Sequence, residues 1–374
     1  GQLTDMEVLG DTVYVAGTDG IAAIDAAGAT KWRTPLPGVS FRRLDVDSAG
    51  VAFTTFTLQG VEPAKGFSAF ALGSVGDVPT YVDAGIGALA LTGEVLWQVA
   101  SDLQSPLSAP GLSPTSVAVM RGKDMIVVDR TNGHLLGNAD IKYVGEDGKF
   151  FAGFFARGHR SQPIWWEGSF YSAFYGYVIK TDAQGGSRET AIGPLFRPFY
   201  NVTCDPVPFG DSLIAGSTGD TQKGNTWFSV DAKLDTRFNE WTPDKQSGCG
   251  ALVVTPERTV MASNFAVWAI NGKGKVLWRS ENKKGGLYPS SARGVRYTSG
   301  LGFRKSATDL MVVTGDRVFL ATDNKGDVVT VLDASSGAYV HTLDVKSPIV
   351  ALAQVGGSLV VATAEELRFA PLAD

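Results

Sequence analysis

The chain has 374 residues, 44% of them hydrophobic and 19% charged, with a net charge of -5. That length can bury a large core, and the scattered basic residues of an acidic chain leave no face for nucleic acid. No window approaches the roughly 18 uninterrupted apolar residues of a membrane span.

The first residues, GQLTDMEVLG, lack the charged-then-apolar order of a signal peptide and already read as a strand. The chain is therefore expected to be a mature or trimmed form, with a removed leader or an upstream lipid-anchored cysteine both open. LTDMEVLG, TVYVAGT, GIAAID and TKWRTPL then form a first unit of four short strands separated by Gly and Asp turns. Further units follow at about 39–104, 105–142, 158–193, 200–243, 248–284 and 290–346. The last segment, Ile349 to Leu372, supplies three strands. Forty-five glycines against three histidines and five methionines suit such a turn-rich chain, and no stretch combines helical apolar spacing with caps.

A short phrase recurs through these units: an Asp-bearing apolar strand, a Gly turn, then an aromatic four residues after the Gly. It reads AAIDAAGATKW at Ala22 to Trp32, ALALTGEVLW at Ala88 to Trp97 and VWAINGKGKVLW at Val267 to Trp278. Weaker copies are VVDRTNGHLLG at Val127 to Gly137 and VLDASSGAYVH at Val331 to His341. The turn glycines align as Gly28, Gly93, Gly133, Gly186, Gly274 and Gly337. Glycine suits a tight turn of positive φ, and the preceding Asp (Asp25, Asp129, Asp182, Asp333) or Asn271 can bond turn amides. Trp32, Trp97, Trp241 and Trp278 are expected to pack between neighbouring units.

Repetition of this kind predicts an all-β fold, a single β-propeller over residues 1–374 with four-stranded antiparallel blades. Eight blades are expected, with seven the alternative. The last blade is expected to be completed by the N-terminal region, which removes an exposed edge. Loop insertions near 60–87, 143–160 and 285–308 are candidate binding elements on the rigid ring.

The phrase resembles the PQQ-like, quinoprotein-type propeller repeat, roughly A-x-D-x-x-T-G-x-x-x-W, over nearly the whole chain. No recurring Gly-His and Trp-Asp pairing supports a WD-repeat propeller. Two classes of that superfamily matter. In the quinoprotein dehydrogenases the resemblance implies PQQ and Ca²⁺ held over the central channel. The other class, similar to the BamB-type propellers, is a non-catalytic docking scaffold of the cell envelope.

The residues favour the second class. Cys204 and Cys249 are not the vicinal pair of the dehydrogenases, and no Glu, Asn and Asp set matches their calcium motif. No catalytic residue, metal site or cofactor is therefore expected; PQQ and calcium belong to the alternative. His134, His159 and His341 fall in different units without paired ligand spacing. DVDSAG (Asp45 to Gly50) and DNKGD (Asp323 to Asp327) look like the start of a Ca²⁺ loop but lack its downstream acidic ligand, so hairpin turns are expected. Cys204 and Cys249 lie close to one repeat apart on converging first strands; they can bridge in an oxidising compartment or stay two buried thiols.

Phe150 to Tyr177 is unusually aromatic. Adjacent pairs such as Trp165-Trp166 and Phe170-Tyr171 put one ring on each sheet face, which packing between blades absorbs. The same rings beside Arg157, His159, Arg160 and Arg197 also make a platform for a peptide, sugar or anion at a channel mouth. The expected function is a non-catalytic scaffold, exported to the periplasm or cell surface, that binds a protein or an extended polymer ligand. A quinoprotein-like oxidoreductase and a carbohydrate-binding or carbohydrate-active propeller are the alternatives.

Overall fold

Strands such as TVYVAG, SVAVMR and SLVVAT are apolar at consecutive positions rather than alternate ones, which requires cover on both faces. Stacking sheets around a ring supplies that cover. The computed structural model describes residues 1–36, 38, 41–63, 77–100, 107–121, 124–140, 161–174, 177–186, 189–192, 201–202, 205–218, 226–241, 249–263, 266–281, 310–322 and 328–372. They form eight antiparallel sheets in chain order and no α-helix.

Blade 1 holds β1 (Leu3–Leu9), β2 (Thr12–Gly17), β3 (Gly20–Asp25) and β4 (Thr30–Pro35). Blade 2 holds β5 (Phe41–Asp47), β6 (Gly50–Pro63), β7 (Asp77–Leu89) and β8 (Val95–Ala100). Blade 3 holds β9 (Gly111–Leu112), β10 (Ser116–Arg121), β11 (Asp124–Asp129) and β12 (Leu135–Asp140). Blade 4 holds β13 (Ile164–Trp166), β14 (Ser169–Phe174), β15 (Tyr177–Thr181) and β16 (Glu189–Ile192).

In blade 5 the first strand is split into β17 (Asn201–Val202) and β18 (Val207–Phe209), followed by β19 (Ser212–Thr218), β20 (Thr226–Asp231) and β21 (Thr236–Trp241). Blade 6 holds β22 (Cys249–Val254), β23 (Thr259–Ser263), β24 (Ala266–Ile270) and β25 (Val276–Glu281). Blade 7 holds β26 (Met311–Thr314), β27 (Arg317–Thr322), β28 (Val328–Asp333) and β29 (Tyr339–Asp344). Blade 8 holds β30 (Ile349–Val355), β31 (Ser358–Thr363) and β32 (Leu367–Pro371). The ring closes where β1 packs on β30, with Leu3 N–H donating to Ala364 O at 2.8 Å. Eight blades, not seven, are present. Among the described residues the eighth sheet has three strands, and Leu3 begins the first strand of blade 1.

The core is not one central mass but a series of wedges at the joints between blades. Tyr14, Leu44 and Phe53 fill joint 1–2, Trp97, Val117 and Val119 joint 2–3, and Met120, Phe170 and Ile179 joint 3–4. Tyr171, Leu213 and Val230 serve joint 4–5, and Val13, Val350 and Val360 serve the closing joint 8–1. Each wedge removes several large side chains from water, at about 1.5–3 kcal/mol apiece.

The outer rim of the joints carries the repeated phrase. Trp32 donates its indole N–H to Leu91 O at 2.7 Å, Trp97 to Arg130 O at 2.7 Å and Trp278 to Ala334 O at 2.9 Å. Each acceptor lies in the next blade's turn between third and fourth strands. The glycine of that turn lies under the ring: a Cβ on Gly93, Gly133 or Gly337 would come within 2.7, 2.5 or 2.4 Å of Trp32, Trp97 or Trp278. Phe369 of blade 8 lies over Gly28 more loosely: a Cβ there would stand 3.7 Å from its ring, an ordinary contact. Asp25 ties its own turn, accepting from Ala27 N at 2.9 Å and Ala29 N at 2.8 Å, and Asn271 does the same for Lys273 and Lys275 at 3.0 Å each. Gly274 stands in that last turn at φ 75°.

Three positions depart from the sequence reading. The positive-φ turn residue of blade 4 is Gly185 (φ 68°), not Gly186. Strand pairing places Phe238 opposite Ser229, as Trp32 stands opposite Ala23, so Phe238 holds the rim position and Trp241 lies three residues further, opposite Thr226. In the segment marked as an insertion near 60–87, residues 60–63 and 77–87 are strand, and 64–76 lie outside the described residues. β6 and β7 stay paired from Thr57↔Val82 out to Pro63↔Asp77, a ribbon extending roughly 20 Å beyond an ordinary blade at about 3.3 Å per residue.

Gly337→Ala and Gly315→Ala separate the two demands on these glycines. Both have positive φ, 72° and 56°, but only at Gly337 does a Cβ meet an indole. Gly315→Ala is expected to cost about 1–2 kcal/mol of backbone strain. Gly337→Ala should cost clearly more and undock Trp278, read by denaturant unfolding and by Trp fluorescence.

Candidate functional site

An antiparallel blade puts its first–second and third–fourth turns on one face of the ring. Its second–third turn and the link to the next blade fall on the other. The Asp and Gly turns occupy the first face. The second face receives the connections between β6 and β7, β12 and β13, and β25 and β26, the three places where the sequence shows added length. It also carries the paired ribbon of β6 and β7. We refer to these as the turn face and the loop face.

Described side chains at the loop face of blades 1 and 2 form a charged rim. Asp19 pairs with Arg33. Arg42 is buried beside them, its guanidinium donating to Gly17 O at 2.8 Å. Burial lowers its pKa, and the Asp19 charge opposes that shift. Phe41 and Phe56 stack at 5.7 Å next to it.

Around the channel, carboxylates on the innermost strands latch one blade to the next. Asp5 of β1 accepts from Leu44 N at 2.8 Å, and Asp45 of β5 accepts from Leu112 N at 3.1 Å. Asp205, just ahead of β18, works in the reverse direction, accepting from Gln162 N of blade 4 at 3.1 Å. Asp45 is half-buried, and desolvation pushes its pKa up to about 7; the amides of Val46 and Leu112 pull it down, Asp47 pushes it further up, and Arg130 pulls it down. Asp47 is also desolvated, but Arg130 bonds both its oxygens and holds its carboxyl below the usual range. Arg130 donates as well to Ser113 O at 2.8 Å. The carboxylates of DVDSAG therefore serve backbone amides and an arginine, and Ala49 N–H bonds Asp47 at 2.8 Å to close a hairpin turn.

Trp165 and Trp166 lie on β13, the innermost strand of blade 4, and both are partly buried. Trp165 meets Phe170 edge-on at 4.9 Å in the wedge toward blade 3. Trp166 meets Tyr171 at 5.4 Å in the wedge toward blade 5. Adjacent rings thus take opposite faces. Arg157, His159, Arg160 and Arg197, the other members of the expected platform, lie outside the described residues, as do DNKGD, Cys204 and the Cys249 side chain. Among the described residues no group of three or more His, Cys, Asp or Glu is placed to hold a metal, and no helix is long and apolar enough to cross a membrane.

The channel latch was missed by sequence reasoning. Its signal is an Asp on the first strand of a unit, in LTDMEV and RRLDVD, which resembles any exposed strand carboxylate until the neighbouring blade is seen.

Ionisation of Asp45 sets a pH dependence. Its folded pKa near 7 lies above the unfolded value of about 3.9. The stability gained by holding the proton is complete below about pH 4 and disappears as pH rises through about 7. Melting temperature should fall between pH 5 and 8, and Asp45→Asn, which keeps one oxygen acceptor, should flatten that fall. An equal slope in both proteins would show that Asp45 is ionised and hydrated.

The crystal structure of BamB from Moraxella catarrhalis matches 97% of this chain and 91% of its own, with a TM-score of 0.63 at 14% identity. A structure described as KlHsv2 with loop 6CD replaced by a Gly-Ser linker matches 92% of this chain and 99% of its own, with a TM-score of 0.53 at 9% identity. At these identities the likeness is one of fold. No curated protein matches the sequence. The family model described as outer membrane protein assembly factor BamB matches residues 4–231 and 240–373, and the chain belongs to that family.

Proposed function

We propose that this protein is a non-catalytic scaffold, exported to the periplasm or cell surface, that holds a protein partner against its loop face. The observation carrying this reading is the segregation of added length. The β6–β7 ribbon and the strand ends that bound the connections after β12 and β25 lie on one side of the ring, the connections themselves (141–160 and 282–309) lying outside the described residues, while the tight Asp and Gly turns hold the other side. A rigid ring with variable connections on one face positions a partner without chemistry of its own. Membership of the BamB family points to partners among the components that assemble outer membrane proteins.

Photo-crosslinking tests the reading. A photo-reactive residue replaces Thr18, in the β2–β3 turn of the loop face, or Asp316, in the β26–β27 turn of the turn face. Purified protein is then illuminated with outer membranes containing the assembly machinery. Crosslinks to a protein of that machinery are expected from position 18 and not from 316. Crosslinks from 316 alone would move the binding face, and none from either position would remove the scaffold role.

A further inference from the structure

The outer strand of each blade presents an unpaired edge to solvent, and soluble proteins blunt such edges with charge or proline. This chain does so on nearly every blade. β4 carries Lys31, Arg33 and Pro35; β12, Asp140; β16, Glu189; β21, Arg237 and Glu240. β25 carries Glu281, β29 Asp344, and β32 Arg368 and Pro371. β8, Val-Leu-Trp-Gln-Val-Ala, has neither, alone among the described outer strands.

Its side chains are exposed as well. Val95 is 43% accessible, Leu96 50% and Val99 43%, and Leu135 at 66% stands on the neighbouring β12. Trp97 between them is 8% accessible and committed to joint 2–3, so the strand is rigidly held while its edge stays open. β8 pairs with β7 from Leu89↔Val95 to Gly85↔Ala100, and among the described residues no strand pairs with its other side.

We propose that the free edge of β8 is a docking site for one extended apolar peptide strand supplied by a partner protein. Main-chain hydrogen bonds to β8 provide the affinity, and apolar side chains of the peptide lie over Val99 on the Trp97 face of the sheet and over Val95 on the opposite face, the register shift beside Val95 separating the two. The available area selects this occupant over a second copy of the chain. The four side chains expose on the order of 300 Å², the size of a functional patch on a monomer. A stable dimer needs about 800 Å² from each partner. The site lies on the outer rim and is separate from the loop-face contacts proposed above.

Random decapeptides displayed on phage and panned on the full chain provide the test, with Leu96→Lys and Leu277→Lys as competitors. Both positions are exposed apolar residues one step before a docked Trp, but Leu277 lies on β25, four blades away from β8. Enriched peptides should alternate apolar residues, lose at least about tenfold in affinity for Leu96→Lys and bind Leu277→Lys unchanged. Hydrogen exchange should show new protection in β8 when a synthetic copy of such a peptide is added. The proposal is overturned by no enrichment, by equal binding to both variants, or by protection located elsewhere. A concentration-dependent dimer in sedimentation that Leu96→Lys abolishes would overturn it in favour of a second copy.

Discussion

The ring depends on one contact repeated along its rim: an indole from a fourth strand lying flat on the backbone of the next blade's turn. The ring supplies buried area worth a few kcal/mol, and its N–H satisfies a turn carbonyl for about one more. Because the acceptor belongs to the adjacent blade, this contact fixes distance and rotation between blades, which apolar packing alone does not. It also places a demand on the neighbour, since a side chain on the turn residue would occupy the space of the ring. Tryptophan and glycine in the repeat are therefore two halves of one intermolecular-style interface, carried on successive units of a single chain.

Blade 4 shows what happens when the rim contact is absent. At joint 3–4 Gly137 holds the rim position and its backbone lies directly against Gly185, where a Cβ on either would meet the other at 2.9 Å. At joint 4–5 the equivalent residue is Glu189, opposite Lys180, and the receiving turn has Leu234 at φ 66° in place of glycine. The large aromatics move to the channel side, where Trp165 and Trp166 face the two neighbours from a three-residue strand.

Much of this fold was legible in the sequence because it is periodic. The Gly-x-x-x-Trp spacing located Trp32, Trp97 and Trp278, and an Asp or Asn such as Asp25 or Asn271 before the turn announced a side chain that caps its own amides. The aperiodic copies were misread for definite reasons. In FNEW the larger ring drew attention to Trp241, although strand pairing counts from Asp231 and selects Phe238. In DAQGG two glycines compete, and only φ distinguishes Gly185. The β6–β7 ribbon read as a loop because its strands outrun the blade and lack the alternating pattern of a half-buried sheet. The carboxylate latch of Asp5, Asp45 and Asp205 was invisible because its partners are backbone amides of another blade, and amides leave no mark in a sequence.

The contact between Leu3 and Ala364 has a consequence for how the ring assembles. Seven of the eight joints link blades adjacent in the chain, so they can form one after another from either end. The eighth must bring the two termini together. Loop entropy grows only logarithmically with length, so closing a chain about eight times longer than one repeat costs only about 2 kcal/mol more than an ordinary joint. That is less than a single well-filled apolar wedge supplies. Closure is then expected to be slow in time, because it waits on the other seven, yet inexpensive at equilibrium.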